Sequence, residues 1–215
     1  MTTAGFIGSG RIGSVLARLS AAAGYEVLLS NSRGPRTLKD LAAEVGARAV
    51  TPAEAAGADL VVVSIPVHAY TSVPAIAGRV VMDTGNYSPG RDGQIAGLDD
   101  GTLTSSELLR RQVPGAKVVK VFNNIYFKHL QNLARPGTSD GRSYLPIAGD
   151  DTDAKAAVTA YLDAIGYGAV DTGSLADGRR QQPGTPVYGT PYGPFDDENG
   201  RTASADVIRA ALAAA

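Results

Sequence analysis

Short apolar segments alternate with amphipathic segments along the first 125 residues of the chain. The amphipathic segments repeat apolar residues at spacings of three and four, as Ile12, Val15, Leu16 and Leu19 do in a predicted helix over residues 11–23. The apolar segments have the length and composition of strands. Because strands that alternate with helices form βαβ units, this pattern predicts an α/β protein with a parallel sheet.

The strands of this part are predicted over residues 2–8, 26–30, 47–50, 59–66, 79–86 and 117–124. The strand over residues 59–66 is apolar on both faces, which is typical of a central strand. A second helix is predicted over residues 36–46, and Thr51 with Glu54 forms the capping box of a third. Residues 87–101 are rich in Gly, Pro and Asp and are predicted to form a surface loop.

The pattern changes after Ala134. A linker or exposed loop is predicted first, over residues 135–142. A strand over residues 143–149, a helix over residues 150–166 and a strand over residues 167–173 follow, and a short last helix is predicted over residues 204–215. Residues 173–200 are rich in glycine and proline and lack periodicity, so they are functional, an arm between subunits, or partly disordered. We predict a main domain over residues 1–141 and a small C-terminal part over residues 142–215.

Composition excludes several classes of function. The chain has 215 residues, enough for one sizeable core, and a net charge of −1, which does not favour binding to nucleic acid or anionic membranes. It has no cysteine, so disulfides and thiolate chemistry are excluded, and its two histidines, His68 and His129, are too far apart in sequence to predict a metal site. No apolar run reaches the roughly 20 residues of a membrane span. The first strand starts almost at Met1 and leaves no room for a signal peptide, so we expect a cytoplasmic protein.

The segment "GSGRIG", Gly8 to Gly13, matches the G-x-G-x-x-G pattern between a predicted strand and a predicted helix. In that context Gly8 permits the tight turn, Gly10 lets the backbone approach a pyrophosphate, and Gly13 allows close packing of helix on strand. The amino terminus of the helix offers free N–H groups to phosphate. The segment therefore predicts a dinucleotide-binding site.

The segment "YEVLLSNSRGPR" indicates which dinucleotide binds. A carboxylate at the end of this strand would bind the 2′-hydroxyl of NAD and repel a 2′-phosphate, but the chain offers Asn31, Ser32, Arg33 and Arg36. A hydroxyl and a guanidinium suit a phosphate, to which arginine forms charge-assisted hydrogen bonds. We predict NADP(H), with a solvated basic turn as the alternative.

Several motifs together resemble the small F420-dependent NADP oxidoreductases: "GFIGSGRIG", "NSRGP", "VVVSIP", "VVKVFNNI", "LPIAGDD" and "VDTGSLADGRR". The resemblance covers most of the chain. It implies a Rossmann-type α/β fold, with a doubly wound, mostly parallel sheet and a small C-terminal α/β extension, usually in a homodimer. It also implies hydride transfer between NADP(H) and the deazaflavin ring of coenzyme F420.

The resemblance also implies roles for individual residues. It places Ser9, Arg11 and Ile12 in the turn around the dinucleotide, Ser32 and Arg33 at the 2′-phosphate, and Ser64, Ile65, Pro66 and His68 along the cofactor. It places Asn123, Asn124 and Ile125 beside the stacked rings. Because the nicotinamide of a dinucleotide on such a sheet reaches toward the later strands, we expect Asn123 on the cofactor and Asn124, Ile125 and Tyr126 on the second substrate. Residues 181–195 are expected to form a further wall of the acceptor pocket.

Hydride transfer between stacked rings requires alignment and exclusion of water more than acid–base help, so we expect no catalytic side chain and no metal. Two alternatives stay open. The first is an NADPH-dependent reductase of flavin, ferric iron, or an imine or carbonyl. A carbonyl would require a proton donor, for which His68, Tyr126 and Lys128 are the candidates. The second is a protein that senses NADP without turnover.

Overall fold

A computed structural model describes residues 1–137 and 141–215. Within these residues the chain forms one eight-stranded sheet. The strands are β1 Thr3–Ile7, β2 Glu26–Ser30, β3 Arg48–Ala49, β4 Leu60–Val63, β5 Val80–Asp83, β6 Lys117–Lys120, β7 Tyr144–Gly149 and β8 Gly168–Asp171. The α-helices are α1 Arg11–Ala22, α2 Lys39–Val45, α3 Pro52–Ala56, α4 Pro89–Asp92, α5 Ala96–Asp99, α6 Ser105–Gln112, α7 Phe127–Asn132, α8 Thr152–Ala164 and α9 Ala205–Ala213.

The strand order is β3-β2-β1-β4-β5-β6-β7-β8. All neighbouring pairs are parallel except β6 and β7, which pair antiparallel. The predicted doubly wound, mostly parallel α/β fold is confirmed. Strands β1 and β4 are neighbours although they are not consecutive, so the chain reverses its direction across the sheet between them. In open sheets of this kind, ligands bind outside the carboxyl ends of the strands at that point.

Side chains of the central strands alternate between two apolar cores, one on each face of the sheet. Phe6 and Val62 belong to one core, while Ile7 and Val61 belong to the other. All four are buried, which explains why these strands have no polar face. The cores fix the carboxyl ends of β1 and β4 side by side, with the loops that follow them at one edge.

Three helical segments differ from the prediction. Residues 36–46 do not form one helix, because a 3₁₀ turn over Pro35–Leu38 precedes α2. The predicted surface loop over residues 87–101 contains the short helices α4 and α5. Helix α6 was not predicted, although Thr104 and Glu107 form a full capping box at its start.

The glycine- and proline-rich segment 173–200 folds back on its own chain. It contains two 3₁₀ helices, Leu175–Gln181 and Thr190–Tyr192, and the side chains of Val187 and Tyr192 are fully buried. The predicted domain division at residue 141 falls between β6 and β7, which pair in the one sheet, and it stays a prediction. Part of the predicted linker 135–142, residues 138–140, lies outside the described residues.

Candidate active site

The turn between β1 and α1 has the geometry of a phosphate-binding turn. Gly8 has φ of +112°, and a Cβ on it would lie 2.2 Å from the Ser64 carbonyl oxygen. A Cβ on Gly13 would lie 2.2 Å from the Gly8 carbonyl oxygen, so only glycine allows the helix to approach the turn. A Cβ on Gly10 would have no atom within 4 Å. The protein leaves that side open, where the predicted pyrophosphate would lie.

Helix α1 begins with its amino terminus at the same place. Gly10 is its N-cap and provides no side-chain cap, and the first turn holds no acidic residue. Its first N–H groups are therefore free for an anion, and the helix dipole adds partial positive charge there.

A cleft of about 660 Å³ connects this turn with the loops after β2 and β4. It brings together most of the predicted cofactor-binding residues. These are Gly8, Ser9, Gly10, Asn31, Ser32, Arg33, Ser64, Ile65, Pro66 and His68, joined by Ile7, Pro52, Ala69 and Ser72, which were not predicted. A volume of this size lies within the usual range for ligand sites.

The turn after β2 presents Arg33 to this cleft. The guanidinium groups of Arg33 and Arg36 have no protein partner in the described part of the chain, but Arg36 does not line the cleft. The side chain of Asn31, predicted to bind the cofactor, bonds instead to the Arg33 backbone N–H and to Thr37. Asn31 therefore shapes the turn, and any cofactor contact of its own stays a prediction.

The residues that follow β6 and were predicted to belong to the site do not line this cleft. Strand β6 ends at Lys120, earlier than predicted, and Phe122 adopts a φ of +66°, which redirects the chain. Ile12 packs against the apolar core, and Ile125 is buried in it. The guanidinium carbon of Arg11 lies 5.2 Å from the centre of the Phe127 ring, within cation–π range.

Asn123 and Asn124 hold the C-terminal segment onto the end of β6. The Asn123 amide nitrogen donates to the Gln181 carbonyl at 2.6 Å, and the Asn124 amide nitrogen donates to the Val187 carbonyl at 3.0 Å. Both side chains are buried. Their amide N–H groups are thus used within the protein, and their Oδ1 atoms have no partner among the described residues. The predicted ligand contacts of these two residues stay predictions.

An aromatic surface lies beside Asn124, formed by Tyr126, Tyr188 and Phe195. Ring centres of Tyr126 and Phe195 are 5.4 Å apart, and those of Tyr188 and Phe195 are 6.4 Å apart. Phe195 is 51% exposed, which is unusual for a large apolar side chain. A pocket of about 390 Å³ adjoins it, lined by Tyr188, Gly189, Thr190, Gly193, Pro194, Phe195 and Arg201. Arg201 was missed by the sequence analysis.

His68 pairs with a carboxylate that the sequence analysis also missed. Its Nδ1 lies 3.0 Å from Oδ1 of Asp92, which is fully buried at the end of α4. Burial alone would raise the pKa of Asp92, but hydrogen bonds from Arg91, Ser88 and His68 outweigh it and hold that pKa well below its usual range. Asp92 lies in the predicted surface loop, and nothing local in the sequence indicates its pairing with a residue 24 positions earlier.

A buried ion pair supports the loops beneath the site. Lys120 on β6 lies 3.2 Å from Asp83 at the end of β5, and Tyr70 donates to the same carboxylate at 2.7 Å. Burial lowers the pKa of Lys120, and the charge of Asp83 opposes that effect. Lys120 also contacts the Gly85 carbonyl. The pair therefore links the loops after β4 and β5 to β6.

The described residues contain neither a candidate metal cluster nor a helix suited to a membrane. No cluster of three or more His, Cys, Asp or Glu side chains able to hold a metal ion is found within residues 1–137 and 141–215. None of the helices in those residues has both the length and the apolar character needed to cross a membrane.

Part of the chain, before its midpoint, matches a family model described as NADP oxidoreductase, coenzyme F420-dependent. The match covers residues 3–87, which include the phosphate turn and the Ser32–Arg33 turn.

Two solved structures are similar over most of the chain. The hypothetical protein SMa0349 from Sinorhizobium meliloti is 34% identical, with 87% of this chain and 93% of that chain covered and a TM-score of 0.75. A protein from Arthrobacter sp. FB24, assigned as an F420-dependent NADP reductase, is 25% identical, with coverages of 84% and 88% and a TM-score of 0.68.

The chain is also similar to part of a longer protein. The chain is 27% identical over 179 residues to metalloreductase STEAP3 from Rattus norvegicus. The match covers 81% of this chain but 34% of that protein, so the chain spans about a third of the length of this relative.

Proposed function

The chain belongs to the coenzyme F420-dependent NADP oxidoreductase family, and on this premise we propose that it transfers a hydride between NADP(H) and the deazaflavin ring of coenzyme F420. It is an NADP-dependent oxidoreductase by that membership. The identity of the acceptor is the part that we propose.

One observation carries the proposal for NADP(H). A single cleft joins the phosphate turn to the turn that carries Ser32 and Arg33. In this role the Gly8–Gly13 turn and the amino terminus of α1 bind the diphosphate, while Ser32 and Arg33 bind the 2′-phosphate. The residues therefore fit NADP(H) better than NAD(H), for which an acidic residue would be expected after β2.

The aromatic surface supports a planar acceptor. With the adenosine end at β2, the nicotinamide end of the dinucleotide points toward the loops after β4, β5 and β6. The rings of Tyr126 and Tyr188 pack against Phe195, and Tyr188 and Phe195 line the adjoining pocket. We assign this surface to the acceptor ring, with Asn124 and Ile125 as its support.

Bound NADPH supplies the hydride, and the side chains of this protein provide orientation and exclusion of water. The apolar residues Ile65 and Pro66 line the cleft where β4 ends. Phe195 and Tyr188 cover the acceptor side, which removes water from between two rings that stack. Alignment and desolvation of this kind suit hydride transfer, since the transfer itself breaks one C–H bond on the nicotinamide and forms one C–H bond on the acceptor.

Reduction of a metal ion is a second candidate. It is favoured by the similarity to a metalloreductase, which covers 81% of this chain. In this case NADPH would reduce a ferric complex through an intervening flavin, because a hydride carries two electrons and ferric iron accepts one. The same cleft would bind NADPH in both reactions.

The family resemblance also supports two proposals about context, a homodimer and a cytoplasmic location. Phe195 and Val207 are large apolar side chains that stay about half exposed in a single chain. Sedimentation velocity measures the oligomeric state directly, and a single species with the mass of one chain would contradict the homodimer.

An acceptor screen with NADPH in large excess tests the proposed function. We expect loss of the deazaflavin absorbance when F420 is the acceptor, and much slower turnover with NADH. NADPH oxidation that depends on flavin and ferric iron but not on F420 would favour metal reduction. Turnover of imines or carbonyls alone would assign another reductase, and tight NADPH binding without turnover would indicate a sensor.

A further inference from the structure

The His68 ring is held by one carboxylate from two sides. Oδ1 of Asp92 lies 3.0 Å from the ring Nδ1 and accepts the backbone N–H of His68 at 3.3 Å. The Asp92 side chain is 0% exposed, whereas the His68 side chain is 49% exposed and lines the cleft. A buried carboxylate thus fixes the Nδ1 edge of an imidazole that lines the candidate cofactor site.

Asp92 is itself held rigidly. Its carboxylate accepts the backbone N–H of Ser88 at 2.9 Å and two hydrogen bonds from Arg91, at 3.1 and 2.7 Å. These bonds keep Asp92 ionised, because each of them favours the charged carboxylate. An ionised carboxylate only accepts hydrogen bonds, so the proton between the two residues belongs to Nδ1 of His68.

The pair is connected to the part of the site where the nicotinamide end is proposed to lie. Arg91 also donates to the Asn86 carbonyl, and the Asn86 amide nitrogen donates to the Asn123 carbonyl at 2.7 Å. This chain of bonds runs from the loop after β4, across the loop after β5, to the residues that follow β6. Nε2 of His68 has no hydrogen-bond partner among the described residues.

We propose that His68 supplies the proton that accompanies hydride transfer, and that Asp92 is the positioning residue that makes it able to do so. The inference rests on the proposed function. It changes the sequence-based expectation that no side chain takes part in the chemistry. A neutral, freely rotating histidine on a loop would be a poor donor, whereas a ring fixed through Nδ1 presents Nε2 in one direction.

The hydride, with its two electrons, leaves C4 of the nicotinamide and bonds to a ring carbon of the acceptor, so the nicotinamide is oxidised and the acceptor is reduced. The negative charge that arises on the acceptor is neutralised when its ring nitrogen takes the proton from Nε2 of His68. His68 enters this step as the doubly protonated imidazolium. It is left neutral, with its remaining proton on Nδ1 donated in the hydrogen bond to Asp92, and it regains the Nε2 proton from solvent. The charged groups around the ring are Asp92 and Arg91 beside it and Arg33 across the cleft.

The variants His68→Gln, Asp92→Asn and the double variant test this assignment. Glutamine keeps an N–H near the position of Nε2 but cannot give up a proton. Asparagine at position 92 donates to Nδ1 and imposes the opposite ring tautomer. Asp206→Asn, at an exposed site on α9, is the matched control. NADPH affinity and circular dichroism establish which variants retain the fold and the cofactor site.

We expect each single variant to lower the rate of F420 reduction by at least about tenfold, below the ~10²–10⁴ of a full general acid because water also delivers protons. NADPH affinity should change less than twofold, and the double variant should be no slower than His68→Gln. Single variants within threefold of the unmodified protein would overturn the proposal while leaving the proposed function intact.

The ring tautomer gives a result that does not depend on any acceptor. Long-range ¹H–¹⁵N spectra of the unmodified protein should show neutral His68 with its proton on Nδ1, and a shift of that proton to Nε2 in Asp92→Asn. His129→Gln assigns the second histidine in the spectrum. A neutral His68 protonated on Nε2 in the unmodified protein would overturn the assignment, even if the acceptor screen had shown no turnover with F420.

Discussion

The side-chain oxygen of Asn31 accepts the backbone N–H of Arg33 at 2.9 Å, and this bond closes the turn that follows β2. The other half of the Asn31 amide donates to Thr37 at 3.0 Å. An asparagine at this position therefore fixes the backbone of the next two residues. Arg33 lines the cleft, and a guanidinium there suits a 2′-phosphate.

Replacing Arg33 with alanine should weaken NADPH binding roughly 10- to 150-fold, the range for one lost hydrogen bond to a charged group. NADH binding should change little, because NADH has no 2′-phosphate. Isothermal titration with both cofactors measures the difference. Lys39→Ala removes a nearby exposed positive charge and serves as the control. Equal weakening of both cofactors by Arg33→Ala would contradict the assignment of Arg33.

Alanine substitutions at Gly10 and Gly13 should affect different properties, cofactor affinity in the first case and the free energy of unfolding in the second. Gly10→Ala adds a methyl group where no protein atom lies within 4 Å, so the melting temperature should hold while NADPH and NADH binding falls at least tenfold. Gly13→Ala places its methyl group 2.2 Å from the Gly8 carbonyl oxygen and should cost about 1–3 kcal/mol of unfolding free energy, as overpacking does. Thermal melts and titrations check both. A stable Gly10→Ala protein that binds NADPH normally would contradict the pyrophosphate site.

The sequence was sufficient to predict the sheet, because the periodicity of β1, α1 and β4 is local and strong. It also predicted the phosphate turn, since the glycine spacing and the strand–helix context lie within a few residues. The residues after β2 and β4 could be placed for the same reason, as they directly follow strands whose carboxyl ends meet at one edge.

Long-range pairings could not be read from the sequence. Asp92 approaches His68 only because α4 forms within a stretch whose composition predicts a loop. The positive φ of Phe122 turns the chain after β6, and no local pattern predicts such a conformation for a bulky residue. That turn buries Asn123 and Asn124 under the C-terminal segment, an arrangement that the sequence did not indicate.

Loss of Lys120 should destabilise the protein strongly. Lys120→Met leaves the buried carboxylate of Asp83 without its positive partner, which typically costs about 3–5 kcal/mol. The double variant Asp83→Asn with Lys120→Met removes both charges and should regain much of that loss. Urea denaturation monitored by circular dichroism measures all three proteins. An unchanged midpoint for Lys120→Met would show that the pair contributes little.

Removal of the Asn124 side-chain amide should weaken binding of the acceptor without affecting binding of NADPH. Asn124→Ala deprives the Val187 carbonyl and the Tyr192 hydroxyl of a buried donor, at a cost of about 1–3 kcal/mol for an unsatisfied group. We expect a higher KM for the acceptor and an unchanged Kd for NADPH, measured by steady-state kinetics and titration. Asn199→Ala, on the exposed part of the same segment, is the control. A weakened NADPH affinity with a normal KM for the acceptor would contradict the assignment of Asn124 to the acceptor side and would place it on the NADPH side.

Phe195 should set the affinity for planar acceptors. Its ring is half exposed, packs 5.4 Å from Tyr126 and borders the 390 Å³ pocket, so a planar ring placed there would stack on it. Phe195→Ala should raise the KM for F420 or flavin roughly 2- to 12-fold, the value of an aromatic pair, and Phe195→Tyr should restore it. A compact inorganic oxidant such as ferricyanide, which cannot stack, should show no change. Val207→Ala removes a similarly exposed apolar side chain on α9 and should leave the KM for the acceptor unchanged. An equally unchanged KM in Phe195→Ala would show that the acceptor binds elsewhere.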